Sequence, residues 1–539
     1  MANMHYLATL VSFIPIVSLA LGQHMVPNPE HACAAIAHTF QYENVKVNFA
    51  EYVPANTNLS LPNSGAVATC QTPYQEVPVD ICRVAMFVKT SATSNITLEA
   101  WLPTNWTGRF LSTGNGGLDG CIQYVDIAYA NSFGFAAVGA NNGHNGTSGK
   151  PFYHNPEVVT DFAWRSMHTG VVVGKALTKA YYERDYTKSY YLGCSTGGRE
   201  GFKMVQDFPE DFDGAVIGAP ALAFNNLSSW SGSFLIKTGS NDSATWLTPE
   251  EWVLVHEDIL AQCDSLDGAA DGMISDTLDC HYDPVNLICQ PGNTSSSCLS
   301  AAKVNTVKKV FEPYYGVNGS LIYPRMQPGS ELEAAYIYYT GQPFPYTVDW
   351  MRYAILEDPT WNADTLDANY AAIASIKNPS GISTWKGDLS AFKNRGGKVL
   401  HYHGSADPII TSENSPRYYD HVAITMGLPP SELDSFYRFF RIGGMSHCEG
   451  GVGAWEIGQT SAGALGTILD PQHNVLLRMI DWVEKGDSAA PETVTGVKFV
   501  NDTPSLGVDF YRNHCRYPLQ DQCMDGANWK DANSWKCIV

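Results

Sequence analysis

Tyr190-Tyr191-Leu192-Gly193-Cys194-Ser195-Thr196-Gly197-Gly198 is the stretch that decides the fold. Tyr190-Tyr191-Leu192 predicts a strand, Gly193 to Gly197 fits G-x-S-x-G, and Gly198 to Phe208 predicts a helix. A serine between strand and helix stands on a sharp turn that exposes its hydroxyl above a sheet. The glycines relieve crowding where the backbone turns most tightly. The helix start brings backbone N–H groups and the positive end of the helix dipole to the same place. G-x-S-x-G alone is a weak signal in a chain with 47 glycines, and its bland reading is a Gly-rich turn with a capping serine. The flanking strand and helix favour a nucleophile.

On either side the pattern is an alternation. Strand-like segments recur at Val45–Tyr52, Ala85–Val88, Ile96–Leu102, Phe110–Thr113, Phe135–Gly139, Ser189–Leu192, Ala215–Gly218 and Lys398–His403, with helical stretches at Asp161–Tyr182 and Gly198–Phe208. That predicts an α/β fold: a mostly parallel sheet with helices on both faces. From 227 to 390 the alternation stops and Trp, Tyr, Pro and Cys accumulate, which predicts an inserted lid. The expected division is a catalytic domain over 23–226 and 391–539, with the lid at 227–390.

A nucleophilic serine needs a base and a group that orients the base. His447 lies in Gly443-Gly444-Met445-Ser446-His447-Cys448-Glu449-Gly450-Gly451, a glycine-flanked loop. Asp407 follows the strand-like Val399–His403. Ser, Asp, His is the chain order of α/β-hydrolase triads. Cys194 precedes Ser195 and Cys448 follows His447. A disulfide between them would join nucleophile and base, and the chain-entropy treatment of so long a loop gives roughly 5 kcal/mol as an upper figure. Its geometric role matters more, because rate depends on the Ser–His separation.

The 54 acidic against 33 basic residues give a net charge of −21. Such a surface repels phosphate, which argues against nucleic acid, and no polybasic run suggests an anionic membrane. The first 22 residues lack Lys, Arg, Asp and Glu, and Leu7 to Leu21 is nearly all apolar, which predicts a signal peptide over 1–22 and secretion. Nine sequons agree, at Asn58, Asn95, Asn105, Asn145, Asn226, Asn241, Asn293, Asn318 and Asn501. The 13 cysteines contain no Cys-x-x-Cys, so in an oxidising compartment they read as six pairs and one remainder.

These residues resemble the tannase and feruloyl esterase family. The resemblance is carried by Gly193-Cys194-Ser195-Thr196-Gly197-Gly198-Arg199, Asp407 and His447-Cys448, and runs from about Cys33 to Cys537. It implies an α/β-hydrolase core, a lid, a structural calcium ion, no organic cofactor and hydrolysis of carboxylic esters. Ser195, Asp407 and His447 would be the triad, with oxyanion donors at Thr196 and at Gly116 or Gly117. The implied pairs are Cys33–Cys82, Cys70–Cys121, Cys194–Cys448, Cys263–Cys280, Cys289–Cys298 and Cys515–Cys537, with Cys523 single. A swap between Cys515 and Cys523 stays open.

Cys263 to Ile274 concentrates carboxylates in one turn. Asp267, Asp271 and Gly272 match the start of an EF-hand loop, but Ala269 breaks it and the twelfth position is Leu278. The resemblance instead implies carboxylate ligands at Asp264, Asp267 and Asp271 and carbonyl ligands at Ala269 and Met273, structural and far from the reacting atoms.

Other readings fit less well. His401-x-His403 with Asp407 suggests a metallohydrolase, but histidines alternating on one strand read better as packing or supporting residues. Thr113 to Gly120 spaces its glycines wrongly for a dinucleotide loop and no clear helix follows, so it reads as an oxyanion loop. A non-catalytic binding protein on this fold would need no complete triad. The implied substrate is a phenolic ester of a polysaccharide or small alcohol. Aromatic lid residues such as Trp230, Phe234, Tyr338 and Phe344 read mostly as lid core, and those facing Ser195 would suit a flat acyl group. Tannases of the family are often cut at a dibasic lid site. The adjacent basic pair here, Lys308-Lys309, lies in a helical stretch, which ranks hydroxycinnamoyl ahead of galloyl esters.

Overall fold

The structure is a computed structural model and describes residues 26–61, 67–290, 297–460 and 470–539. The expected signal peptide and Asn293 lie outside the described residues.

A nine-stranded sheet organises the chain. Its strands are β1 (Val45–Val53), β2 (Ile81–Lys89), β3 (Asn95–Pro103), β4 (Arg109–Thr113), β5 (Ala136–Ala140), β6 (Lys188–Cys194), β7 (Gly214–Gly218), β8 (Lys398–Gly404) and β9 (Tyr437–Ile442). The spatial order is β1-β2-β3-β5-β4-β6-β7-β8-β9. β1, β2 and β3 pair antiparallel, as does β3 with β5. From β5 to β9 every pairing is parallel. The parallel strands are apolar along their length, as Gly-Ala-Val-Ile-Gly in β7 shows, because both faces are covered.

One face packs on α2 (Ser166–Tyr182), α3 (Thr196–Asp207) and α4 (Asn414–Met426) through Val171, Leu177, Phe202, Val205, Tyr418 and Val422. The other packs on α1 (Tyr124–Ser132) and α5 (Val475–Lys485) through Ile127, Met479 and Trp482. Two readings change. A helix, α1, does follow the Gly-rich loop after β4. The expected single helix Asp161–Tyr182 opens with a π-helical turn, Asp161–Arg165, before α2. Strand β9 was not expected, because Arg438 and Arg441 interrupt its apolar run.

Between β7 and β8 the described residues add no strand to the sheet. They form helices such as Phe224–Thr238, Pro249–Cys263, Ala301–Val310 and Ala368–Lys377. Pro249–Cys263 starts where it does because Thr248 and Glu251 form a reciprocal capping box and proline stands at the first turn. Trp230, Phe234, Trp252, Tyr339 and Trp350 fill this region's core, which is continuous with Leu118, Phe152 and Phe162 of the sheet domain. Helices Phe224–Thr238 and Ser390–Asn394 run across the two expected domain boundaries.

Six disulfides form: Cys33–Cys82, Cys70–Cys121, Cys194–Cys448, Cys263–Cys280, Cys289–Cys298 and Cys515–Cys537. Cys523 is a buried free thiol. Among the described residues no helix is long and apolar enough to cross a membrane.

Candidate active site

Ser195 stands between β6 and α3 with φ 66 and ψ −122. A side-chain-bearing residue held there costs on the order of 1–3 kcal/mol, so its surroundings must enforce it. Ser195 N–H donates to Gly218 O at 3.1 Å, and Ala221 N–H donates to Ser195 O at 3.0 Å. Close approach explains two glycines. A Cβ on Gly198 would lie 2.2 Å from Gly218 O, and one on Gly114 would lie 2.5 Å from Gly197 Cα. The elbow therefore touches β7 on one side and the Gly-rich loop on the other, backbone against backbone.

The three residues singled out for chemistry meet. His447 Nε2 is 2.9 Å from Ser195 Oγ, and His447 Nδ1 is 2.7 Å from Asp407 Oδ2. The Cys194–Cys448 disulfide joins the elbow to the His447 loop directly beside them. Asp407 is fully buried. Its Oδ1 accepts from Ile409 N–H at 2.8 Å and Ile410 N–H at 2.9 Å, and its Oδ2 also meets His403 Nε2 at 3.1 Å. Burial alone would push this carboxyl up, but His447 and the hydrogen bonds from His403 and His447 outweigh it and hold the group well below the usual carboxylate range.

Thr196 is the first residue of α3, where N–H groups have no intrahelical acceptor. Its hydroxyl donates to Gly117 O at 2.6 Å, which fixes the Gly-rich loop against the elbow. Gly117 has φ +45, and a Cβ there would strike the Tyr346 hydroxyl at 2.5 Å. Asp119 Oδ1 accepts the N–H of Cys121 at 3.2 Å. Buried Glu200 accepts Asn115 N–H at 3.0 Å and Asn142 Nδ2–H at 3.1 Å, bracing the same loop from below.

A cleft of about 540 Å³ opens over Ser195, with Asp119, Gln123, Asp126, Glu449 and Thr460 in its walls. A narrow apolar extension of about 50 Å³ leads under the inserted region between Phe224, Leu227, Tyr338, Phe344 and Tyr346. Ser228 lines this extension, and its Oγ is buried with no hydrogen-bond partner. Sequence reasoning missed Asp119, Glu200, Ser228 and Gln327. Gln327 Nε2–H donates to Asp407 O at 2.6 Å from far along the chain, and no local spacing signals it. Asp119 could have been found, since it stands inside the quoted Gly-rich loop.

Among the described residues no three His, Cys, Asp or Glu side chains converge as a metal cluster. The acidic loop must therefore be judged on carboxylates together with carbonyls. Asp264 Oδ1 accepts the N–H groups of Asp271, Gly272 and Met273 at 3.1, 3.0 and 3.3 Å, so Asp264 shapes the loop. Asp267 Oδ2 and Asp271 Oδ1 are buried without a hydrogen-bond partner, although Arg512 reaches the other oxygen of Asp271. Burial pushes Asp267 up to about 6 and raises Asp271 as well. Two orphaned hard oxygens fit a calcium ion. The loop is less remote from the triad than expected. Ser405 Oγ–H donates to Ile274 O at 2.7 Å and accepts Gly444 N–H at 2.8 Å, and Ser405 and Gly444 belong to the loops carrying Asp407 and His447.

A family model described as "Tannase and feruloyl esterase" matches residues 80–538. The chain is 55% identical over 539 residues to a probable feruloyl esterase B-2 of Aspergillus terreus, covering 100% of both chains. The crystal structure of feruloyl esterase B from Aspergillus oryzae superimposes with a TM-score of 0.91 at 50% identity, covering 94% of this chain and 100% of that one. Tannin acyl hydrolase from Aspergillus niger shares the fold, with a TM-score of 0.72 at 22% identity and coverage of 95% and 94%.

Proposed function

The chain belongs to the tannase and feruloyl esterase family, and from that premise we propose a secreted serine esterase that releases hydroxycinnamic acids of the ferulic type from plant cell-wall polysaccharide esters. The observation that carries the reading is the unbroken path Ser195 Oγ–His447 Nε2 and His447 Nδ1–Asp407 Oδ2.

Ser195 Oγ attacks the ester carbonyl while His447 Nε2 takes its proton. Asp407 holds the imidazole with Nδ1–H toward itself and stabilises the imidazolium that forms. The oxyanion is taken by Thr196 N–H and by a main-chain N–H of the Gly-rich loop, that of Gly116 or Gly117. His447 then protonates the leaving alcohol, and water repeats the cycle on the acyl-enzyme.

The two parts of the cleft suit the two parts of such a substrate. The narrow apolar extension accepts a flat acyl group, and the orphaned Ser228 hydroxyl suits a ring hydroxyl or methoxyl. The open polar cleft accepts a sugar. This favours hydroxycinnamoyl over galloyl esters, whose three ring hydroxyls fit an apolar slot poorly. Comparing kcat/KM on methyl ferulate, methyl caffeate and methyl gallate tests it. Ferulate or caffeate should lead, and a tenfold preference for gallate would reverse the reading. Ser228→Ala should lower kcat/KM on methyl ferulate while sparing methyl cinnamate, which lacks ring oxygens.

Six disulfides support secretion. Of the sequons, Asn58, Asn95, Asn145, Asn241, Asn318 and Asn501 are exposed and open to glycosylation. Calcium would be held by Asp267 and Asp271 with the Ala269 and Met273 carbonyls in a loop shaped by Asp264. It would neutralise buried carboxylates there and take no part in the bond-breaking steps.

A further inference from the structure

Two imidazoles meet one oxygen of Asp407. His447 Nδ1 lies 2.7 Å from Oδ2 and His403 Nε2 lies 3.1 Å from it. His403 Nε2 also faces Ile410 O at 3.0 Å. Both neighbours of this nitrogen can only accept, because Asp407 is held ionised, so Nε2 carries the proton. In the neutral ring Nδ1 is then an acceptor, and the Ser415 hydroxyl donates to it at 2.6 Å. The lone pairs of that hydroxyl face His401 Nε2 at 3.0 Å, so His401 donates through Nε2. His401 Nδ1 is left to accept from the Tyr437 hydroxyl at 2.9 Å.

The result is a string with one direction: Tyr437 to His401, to Ser415, to His403, to Asp407. It draws on β8, β9 and the start of α4, and all five residues are buried. Burial keeps the Tyr437 phenol protonated and holds the His401 imidazole well below its usual range, so both ends have the donor and acceptor roles the string requires. Hydrogen bonds in such a chain polarise one another in the same sense.

We propose that His403, set by the Tyr437–His401–Ser415 string, is a positioning residue of the reaction: it donates to Asp407 Oδ2 and so keeps that carboxylate ionised and aimed at His447. The two main-chain donors on Oδ1 fix one oxygen. The imidazole of His403 fixes the other, which would otherwise be held by His447 alone. The other ionisable groups packed around the string are Tyr323 and Tyr338 from the inserted region and Tyr418 and Tyr419 from α4, with the Asp420 carboxyl of α4 also acting on Tyr437. These phenols are raised by burial and stay neutral in any assay range, and Arg417 lies beyond Tyr323.

The test rests on esterase activity but not on the feruloyl preference, so p-nitrophenyl acetate and methyl ferulate are both assayed. If methyl ferulate alone is not turned over, the substrate reading fails and this inference stands. His403→Phe keeps the volume and removes the donor. It should lower kcat by about 30-fold with KM within about threefold, since the loss is one of alignment in the transition state. The acid limb of its kcat/KM profile should move to higher pH, because Asp407 then concentrates its charge beside the imidazole. His403→Gln, which can present an N–H at the same place, should recover most of kcat. Ser415→Ala removes one oxygen, should fold, and should shift kcat and the acid limb in the same direction by less. A Ser415→Ala protein with wild-type kcat and an unmoved acid limb overturns the proposal, as does a folded His403→Phe protein that loses only thermal stability.

Discussion

Asp407 and Asp267 are both carboxylates shut away from water, and the protein treats them in opposite ways. Asp407 has four donors on its two oxygens, from Ile409, Ile410, His403 and His447, and is held well below the ordinary range. Asp267 has the Ala269 N–H at 3.0 Å on one oxygen, no hydrogen-bond partner on the other, and is pushed up to about 6. Burial is the leading influence on each. The supply of donors decides the outcome: the carboxylate beside His447 is saturated, and that of Asp267 is left open.

The sharpest way to break this contrast is Asp407→Asn, which keeps the shape and removes the charge. The amide can no longer accept Nδ1–H in the same way and favours the wrong tautomer of His447. Turnover should fall by about 10⁴ with a near-unchanged melting temperature, the scale known for this substitution in serine triads. A loss under tenfold would mean that Asp407 is structural.

The reaction half of this contrast was legible in the sequence, and its supports were not. Ser195, His447 and Asp407 announce themselves through glycine spacing, neighbouring cysteines and a preceding strand, all local patterns. His403 was visible in His401-x-His403, but its bond to Asp407 depends on how the chain turns after β8. Ser415, Gln327 and Ser228 gave no signal, because each acquires its role through packing of segments distant in sequence. All eight strand readings fell within or nearly within sheet strands, and the ninth strand, β9, went unread because Arg438 and Arg441 interrupt its apolar run and find carboxylate partners at the sheet edge. The acidic loop was readable as a cluster of oxygens, while its bridge through Ser405 to both triad loops was not.

That bridge and the Cys194–Cys448 bond make a graded test of how firmly the anion side is held. Replacing Cys194 and Cys448 together with alanine should lower kcat by about 10- to 100-fold, since small misplacement of Ser195 relative to His447 is enough for such a loss. The other disulfides and the far-ultraviolet circular dichroism should stay as they are. Finding either cysteine free in a disulfide map of the intact protein would remove the premise.

The cation side should respond in stability before activity. Protein purified without chelator should carry about one calcium per chain, and chelation should lower its melting temperature by several degrees, since a ligand that binds only the folded state stabilises it by mass action. Asp267→Ala should show the same loss and no further response to chelator. Early-time turnover should survive both, then decline as the Ser405 bridge loosens. Metal analysis that finds no calcium would show that the open oxygens of Asp267 and Asp271 serve something else.

Asp119 lies between the two extremes and supplies the finest test. It has a main-chain donor from Cys121, and burial, followed by the charge of Glu200, pushes it up to about 7. Below that pH it is neutral. Above it, a negative charge appears on the Gly-rich loop that is to receive the oxyanion, and neighbouring like charges in a wet cleft cost on the order of 1 kcal/mol. kcat/KM should therefore show a several-fold decline as pH rises through about 7. Asp119→Asn keeps the acceptor for Cys121 N–H and cannot ionise, so its profile should stay level where the wild type falls. A variant that keeps the falling limb would show that the ionisation of Asp119 is not felt at the oxyanion, and that partial donor supply leaves this carboxylate closer to Asp407 than to Asp267.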